Sequence, residues 1–124
     1  MNDFPEFMKN PRNRICAASQ FTEGIEGYLF DGADGSQVAF WSCSQDRVST
    51  VHAHDFDEYV MVIEGRCVVI MAELRIELVA GDEFLVPKGT PQSMEVAAGT
   101  RTVHVFGGKR AWREQEPLST PALR

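Results

Sequence analysis

From Gln37 onward the apolar residues fall in short runs, each closed by turn formers. Gln37 to Cys43 forms one run, with Val38, Phe40 and Trp41, and Val48 to His54 forms the next. In Glu58 to Ile63 the residues from Tyr59 onward are apolar at both parities, which predicts a strand covered on both faces. Glu64-Gly65 turns it into Cys67 to Met71, another two-sided run. Ala72-Glu73 leads into a clean alternation, with Leu74, Ile76 and Leu78 facing in and Arg75 and Glu77 facing out. Ala80-Gly81-Asp82 turns into Glu83 to Val86, and Pro87 to Pro91 reads as a rigid loop. Gln92 to Val96 and Arg101 to Phe106 are the last two runs. Upstream, Tyr28-Leu29-Phe30 is a short strand in a turn-rich stretch, where Asp-Gly occurs at 31–32 and again at 34–35. Short strands at spacings of about eight to twelve residues, with no long helical pattern, predict an all-β sandwich or barrel.

The ends read differently. Phe4, Phe7 and Met8 have helical spacing between Pro5 and Pro11, which predicts a short helical turn. That arm is too short to stand alone, so its aromatics must dock on the body of the protein or on a second subunit. Ala111 to Glu116 reads as one helical turn with Trp112 packed on the barrel, and Pro117 to Arg124 reads as a loosely held tail. The division is an N-terminal arm at 1–20, a β-barrel at 21–107 and a C-terminal tail at 108–124.

At 124 residues the chain is a single domain by length, able to bury a core without staples. Twelve basic against eighteen acidic residues leave a net charge of −6, which argues against nucleic acid as a partner. The chain has no apolar run of membrane length and no basic, apolar leader at its start, so a soluble cytoplasmic protein without a membrane partner is expected. The three cysteines, Cys16, Cys43 and Cys67, are too widely spaced for a Cys-x-x-Cys site and odd in number. Cys67 reads as a buried small hydrophobe and Cys43 as a strand end that could line a pocket.

Chemistry concentrates in His52-Ala53-His54-Asp55-Phe56-Asp57-Glu58. Strand side chains repeat direction every two residues, so His52 and His54 share a face. The Asp-Phe-Asp break reads as a turn that lets Glu58 open the next strand beside them. Two neutral imidazoles and a carboxylate suit a divalent first-row metal with open positions. The plainer alternative is a solvated polar loop. Asp55 is a candidate to orient a ligand histidine through a hydrogen bond. Arg101, Lys109 and Arg110 read as surface or interface charges at one end of the barrel.

His52-x-His54, three residues, Glu58, six residues and Gly65 resemble the first cupin motif. Gly81, five residues, Pro87-x-Gly89 and two residues to position 92 resemble the second, fifteen residues after the first. The resemblance implies a cupin-type jelly-roll barrel, a double-stranded β-helix, in a small single-domain protein of bacterial type. It implies one divalent metal (Fe, Mn, Ni or Zn) in the barrel mouth, with His52, His54, Glu58 and the residue at 92 as ligands. Position 92 is usually histidine in the family and here is Gln92, a weaker neutral ligand through its amide oxygen. His104, in the last strand, either faces the cavity as a replacement ligand or acid/base group, or lies hydrogen-bonded at the surface. Met94 shares a face with Gln92 and Val96 and would line the ligand site. On the Gln37–Cys43 strand the inward set is either Gln37, Ala39, Trp41 and Cys43 or Val38, Phe40 and Ser42, so Trp41 is a cavity wall or plain core. The resemblance favours a mononuclear metal-dependent enzyme, of dioxygenase or isomerase type, on a small polar substrate. The alternative is a non-catalytic module binding a small molecule or metal. The apolar strands and the N-terminal arm together predict a homodimer.

Overall fold

The computed structural model describes residues 3–115. Nine strands follow in order: β1 Ile25–Asp31, β2 Gln37–Cys43, β3 Arg47–Val48, β4 Glu58–Glu64, β5 Arg66–Met71, β6 Leu74–Val79, β7 Glu83–Val86, β8 Ser93–Val96 and β9 Thr100–Phe106. They form two antiparallel sheets, ordered β1-β2-β9-β4-β7 and β3-β8-β5-β6. Chain neighbours β4 and β5 lie in different sheets, as do β7 and β8, so the chain winds back and forth between the two. This is the jelly-roll arrangement, and no helix interrupts the barrel.

One core cluster fills the space between the sheets: Val60 and Val62 from β4, Cys67 and Val69 from β5, Leu78, Val86, Met94 and Val96. A second gathers Leu29, Ala39, Trp41 and Phe106 against Ile15 and Ala111 from the two ends of the chain. The inward set on β2 is Gln37, Ala39, Trp41 and Cys43, and on β9 Thr102, His104 and Phe106 are buried. Both parity questions left open by the sequence are thereby answered.

Several expectations change. The run from 48 to 54 is a regular strand only at Arg47–Val48, and the histidines lie on an extended segment beyond it. β4 buries Glu58, Val60 and Val62, but its other face is half-covered and Ile63 is exposed, so two-sided coverage fails there. β5 does bury both faces at Cys67, Val68 and Val69. Leu74 is exposed at the start of β6, the edge strand of its sheet. The arm forms a 3-10 turn at Glu6–Lys9 and docks on this same chain: Phe4 is buried edge-on against Tyr28 and beneath Arg101, and Met8 is buried, while Phe7 is exposed. Residues 111–115 are not helical, since Arg113 bridges Ile15 in an extended pairing. The expectation for 117–124 lies outside the described residues.

Candidate metal centre

The segment from Ser49 to Asp57 lacks a continuous ladder, yet individual hydrogen bonds hold it along its length. Ser49 N–H donates to Met94 O, and Met94 N–H returns to Ser49 Oγ. Thr50 N–H donates to Phe21 O. His52 and Gln92 exchange backbone hydrogen bonds, each 2.8 Å, which sets the two side by side. Gly89 N–H donates to His54 O, with Gly89 at φ +78°, a conformation that suits a residue without Cβ. Asp57 accepts from Lys88 N–H through Oδ1 and from Gly107 N–H through its carbonyl. The loop carrying Pro87 and Gly89 therefore fixes both the histidine segment and Gln92.

The strand-like alternation survives this irregularity. The His52 and His54 rings lie 4.9 Å apart, and one nitrogen from each, with a Glu58 oxygen, falls within a group spanning no more than 4.8 Å. His52 Nδ1 donates to Thr50 O at 2.8 Å, leaving Nε2 as the ring's lone-pair atom. Asp55 does not orient a histidine: its carboxylate is almost fully exposed and sits 3.8 Å from Lys88 Nζ. The backbone carbonyl of Thr50 takes that role because it lies on the same segment, two residues before the ring. Flat rings brace both imidazoles, with Phe21 stacked on His52 at 4.0 Å and Phe56 on His54 at 5.0 Å.

Glu58 opens β4 and is 4 % exposed. Its Oε1 accepts from Gln92 Nε2 at 2.8 Å and lies 3.2 Å from His54 Nε2. Its Oε2 accepts from His104 Nδ1 at 2.7 Å. Burial alone would raise the pKa of this carboxyl; the hydrogen bond from His104, the approach of His54 and the Gln92 amide reverse that and hold it well below the usual carboxylate range. His104 is 1 % exposed; its Nε2 accepts from Thr102 Oγ1 at 3.0 Å, and its ring packs 4.2 Å from Trp41. His104 therefore faces the interior, but it stands outside the compact ligating group and braces Glu58 instead. Gln92, 2 % exposed, spends its amide nitrogen on Glu58, which leaves its Oε1 as the only atom able to meet a cation.

The residues present fit a metal. His54 Nε2 is sealed from solvent and has no hydrogen-bond partner, because its approach to Glu58 is off the line of a good bond. A buried ring nitrogen left unpaired beside a carboxylate and a second free imidazole nitrogen has the composition of a transition-metal site. Burial lowers the pKa of His52, which keeps its ring neutral and ready to ligate at pH 7.

Trp41, Met94, Thr102 and His104, together with Cys43, line a small cavity of about 20 Å³, roughly enough for one water, and His52, His54, Glu58 and Gln92 do not line it. A concavity of about 630 Å³ lies by Arg47, Arg66, Glu95 and Val96, and none of the candidate ligands lines it. Phe21 closes the mouth over His52, and behind it stands Arg110. The sequence placed Arg110 at the surface; it is 7 % exposed, as is Arg101. Nothing in the local sequence signals this, because Gln37, seventy-three residues away, pins the backbone of Arg110 by accepting its N–H at 2.7 Å.

The sequence profile of the cupin domain matches residues 43–107, more than half of the chain, and the chain belongs to that family. It is a small single-domain cupin with a jelly-roll fold. Solved structures agree on the fold. An RmlC-like cupin from Shewanella frigidimarina is 19 % identical, with 87 % of this chain and 90 % of that one covered and a TM-score of 0.69. KdgF from Halomonas sp. is 18 % identical over 77 % of this chain and 93 % of its own, with a TM-score of 0.64. The polyketide cyclase RemF from Streptomyces resistomycificus is 16 % identical over 85 % and 81 %, with a TM-score of 0.65. No curated protein matches the sequence.

Proposed function

We propose that His52, His54 and Glu58 hold one divalent transition ion (Fe, Mn, Ni or Zn) in the barrel mouth, and that the protein is a mononuclear enzyme of dioxygenase or isomerase type acting on a small polar substrate. The observation that carries this reading is the sealed, unpartnered His54 Nε2 beside Glu58 and His52. Such an ion supplies Lewis acidity toward a substrate oxygen, or a centre that binds O₂. The chain's own groups do the rest. Glu58 stays ionised at neutral pH because His104 and Gln92 hold both of its oxygens. Gln92 Oε1 is the candidate fourth ligand or substrate contact. His104 keeps the carboxylate in place by donating its Nδ1–H to Oε2. Trp41 and Met94 are the candidate apolar wall, a reading supported by their lining one small cavity with His104. RemF, among the structural neighbours, is an enzyme on this fold, which supports a catalytic reading.

The second reading is a non-catalytic small-molecule or metal-binding module, favoured by the Phe21 ring stacked over His52. Protein loaded in turn with Fe, Mn and Ni and assayed for O₂ uptake or isomerisation on phenolic, diketone and hydroxy-acid panels separates the two. Turnover abolished in His52→Ala supports the enzyme. Ligand binding without turnover, indifferent to His52→Ala, supports the module. The same reading takes the protein to be a homodimer through its exposed apolar strand positions.

A further inference from the structure

Among the described residues, Arg110 is a buried cation with no acidic partner. Among the described residues no carboxylate lies within ion-pair distance of its guanidinium. Its only side-chain hydrogen bond runs from Nη1 to the backbone carbonyl of Ser19, at 2.6 Å. Aromatic faces surround it, with Phe21 at 4.5 Å, Trp41 at 5.5 Å and Phe106 at 5.8 Å from Cζ to the ring centroids. Taking a guanidinium out of water without an anion is costly, and cation–π contacts offset only part of that cost. Burial lowers its pKa to about 10, with the charge of Glu58 opposing the shift, so Arg110 remains a cation at neutral pH.

A clamp fixes the backbone at Arg110. Gln37, itself 1 % exposed, accepts the N–H groups of both Arg110 and Ala111 and donates to Ala111 O and Asp31. The guanidinium is placed by its bond to Ser19 O and by the rings of Phe21, Trp41 and Phe106. A single ring, that of Phe21, separates it from the His52 imidazole. Among the described residues, Nε and Nη2 make no hydrogen bond.

We propose that Arg110 is the anchor for a carboxylate group on the ligand of the barrel-mouth site, and so restricts that ligand to small organic acids with a second oxygen donor. The inference rests on the metal-site reading for the second donor, while the carboxylate contact stands on Arg110 alone. With a divalent ion, neutral imidazoles at His52 and His54 and one carboxylate at Glu58, the mouth carries two net positive charges once Arg110 is counted. A ligand carboxylate neutralises one of them and pairs with the free edge of the guanidinium. A neutral ligand leaves Arg110 uncompensated. One guanidinium with one free edge suits a carboxylate better than a phosphate dianion, which calls for more donors. Phe21, 39 % exposed on the loop between the 3-10 turn Ala17–Ser19 and β1, must swing aside to admit the ligand.

The test is calorimetric titration of metal-free and Mn-loaded protein with pyruvate and oxalate, with pyruvamide and oxamide as neutral counterparts and inorganic phosphate as a competing anion. Wild type binds the two carboxylates at least tenfold more tightly than the amides or phosphate. Arg110→Gln loses that preference and keeps its Mn stoichiometry, and Arg110→Lys recovers part of it. Phe21→Ala, which leaves the cation in place, strengthens carboxylate binding; this second variant serves if Arg110→Gln fails to fold. A protein that takes up no Mn but still prefers carboxylates through Arg110 removes the metal reading and leaves the anchor standing. Unchanged carboxylate affinity in Arg110→Gln, equal binding of amides, or tighter binding of phosphate overturns the proposal.

Discussion

Glu58 is the residue on which the site's geometry converges. One of its oxygens answers Gln92 and His54 and the other answers His104, so three separate parts of the chain meet at one carboxylate. Because its pKa is lower folded than unfolded, the stability it contributes is present above its ordinary value of 4.5 and is lost as pH falls below that. Glu58→Gln is therefore expected to flatten the acid limb of a stability-against-pH curve below pH 4.5. At neutral pH it should cost about 1–3 kcal/mol in urea denaturation, the range for leaving buried donors poorly matched. An acid limb identical to wild type would count against this assignment. At this scale the sequence was informative about residue types and less so about their surroundings. The spacing of His52, His54 and Glu58 was legible because side-chain parity is local. Arg110 was not, because its burial depends on Gln37 and on the rings of Phe21 and Trp41, all far from it in the chain. Thr50 was missed because a backbone carbonyl has no signature in residue identity.

Among the elements, the turn glycines and the histidine segment matter most. Gly65 sits at φ +83°, and a Cβ there would lie 2.5 Å from Thr100 Oγ1 and 2.7 Å from Thr100 Cα. Thr100 cannot retreat easily, since its hydroxyl bonds both N–H and C=O of Arg66. Gly81 has φ +94°, and a Cβ there would meet nothing within 4 Å. Gly81→Ala should thus cost only the backbone term, about 1–2 kcal/mol, and Gly65→Ala distinctly more, as measured by denaturant midpoints. Equal losses would show that the Thr100 contact relaxes freely. Strand runs were legible in the sequence wherever a residue alternation or a two-sided apolar run met a turn glycine, as at β2, β5 and β7. The regular strand expected at 48–54 was not found, because isolated hydrogen bonds with Gly89, Gln92 and Phe21 replace a continuous ladder there. Leu74 was assigned inward from alternation alone, which does not reveal that its strand lies at a sheet edge.

At the scale of the molecule, the two sheets enclose their core but leave Ile63 and Leu85 exposed on the larger sheet and Val48, Leu74 and Val79 on the smaller. With the arm's Phe4 and Met8 already seated on their own chain, these strand positions are what remains of the case for self-association. Light scattering on a sizing column should give twice the chain mass, and a monomer mass at micromolar concentration would remove the dimer. Cys67 is buried, and its thiol is pushed up to about 11 by that burial, so alkylation at pH 8 should spare it in the folded protein and reach it in urea. No helix among the described residues is long and apolar enough to cross a membrane.

The most direct measurement is elemental analysis of the purified chain after loading with Fe, Mn, Ni and Zn in turn and removal of loosely held ions, for wild type beside His54→Ala. About one ion per wild-type chain is expected for at least one of these metals, and its loss when the sealed imidazole is removed. Wild-type protein that retains none of them, or a His54→Ala variant that retains as much, would contradict a metal held by His52, His54 and Glu58.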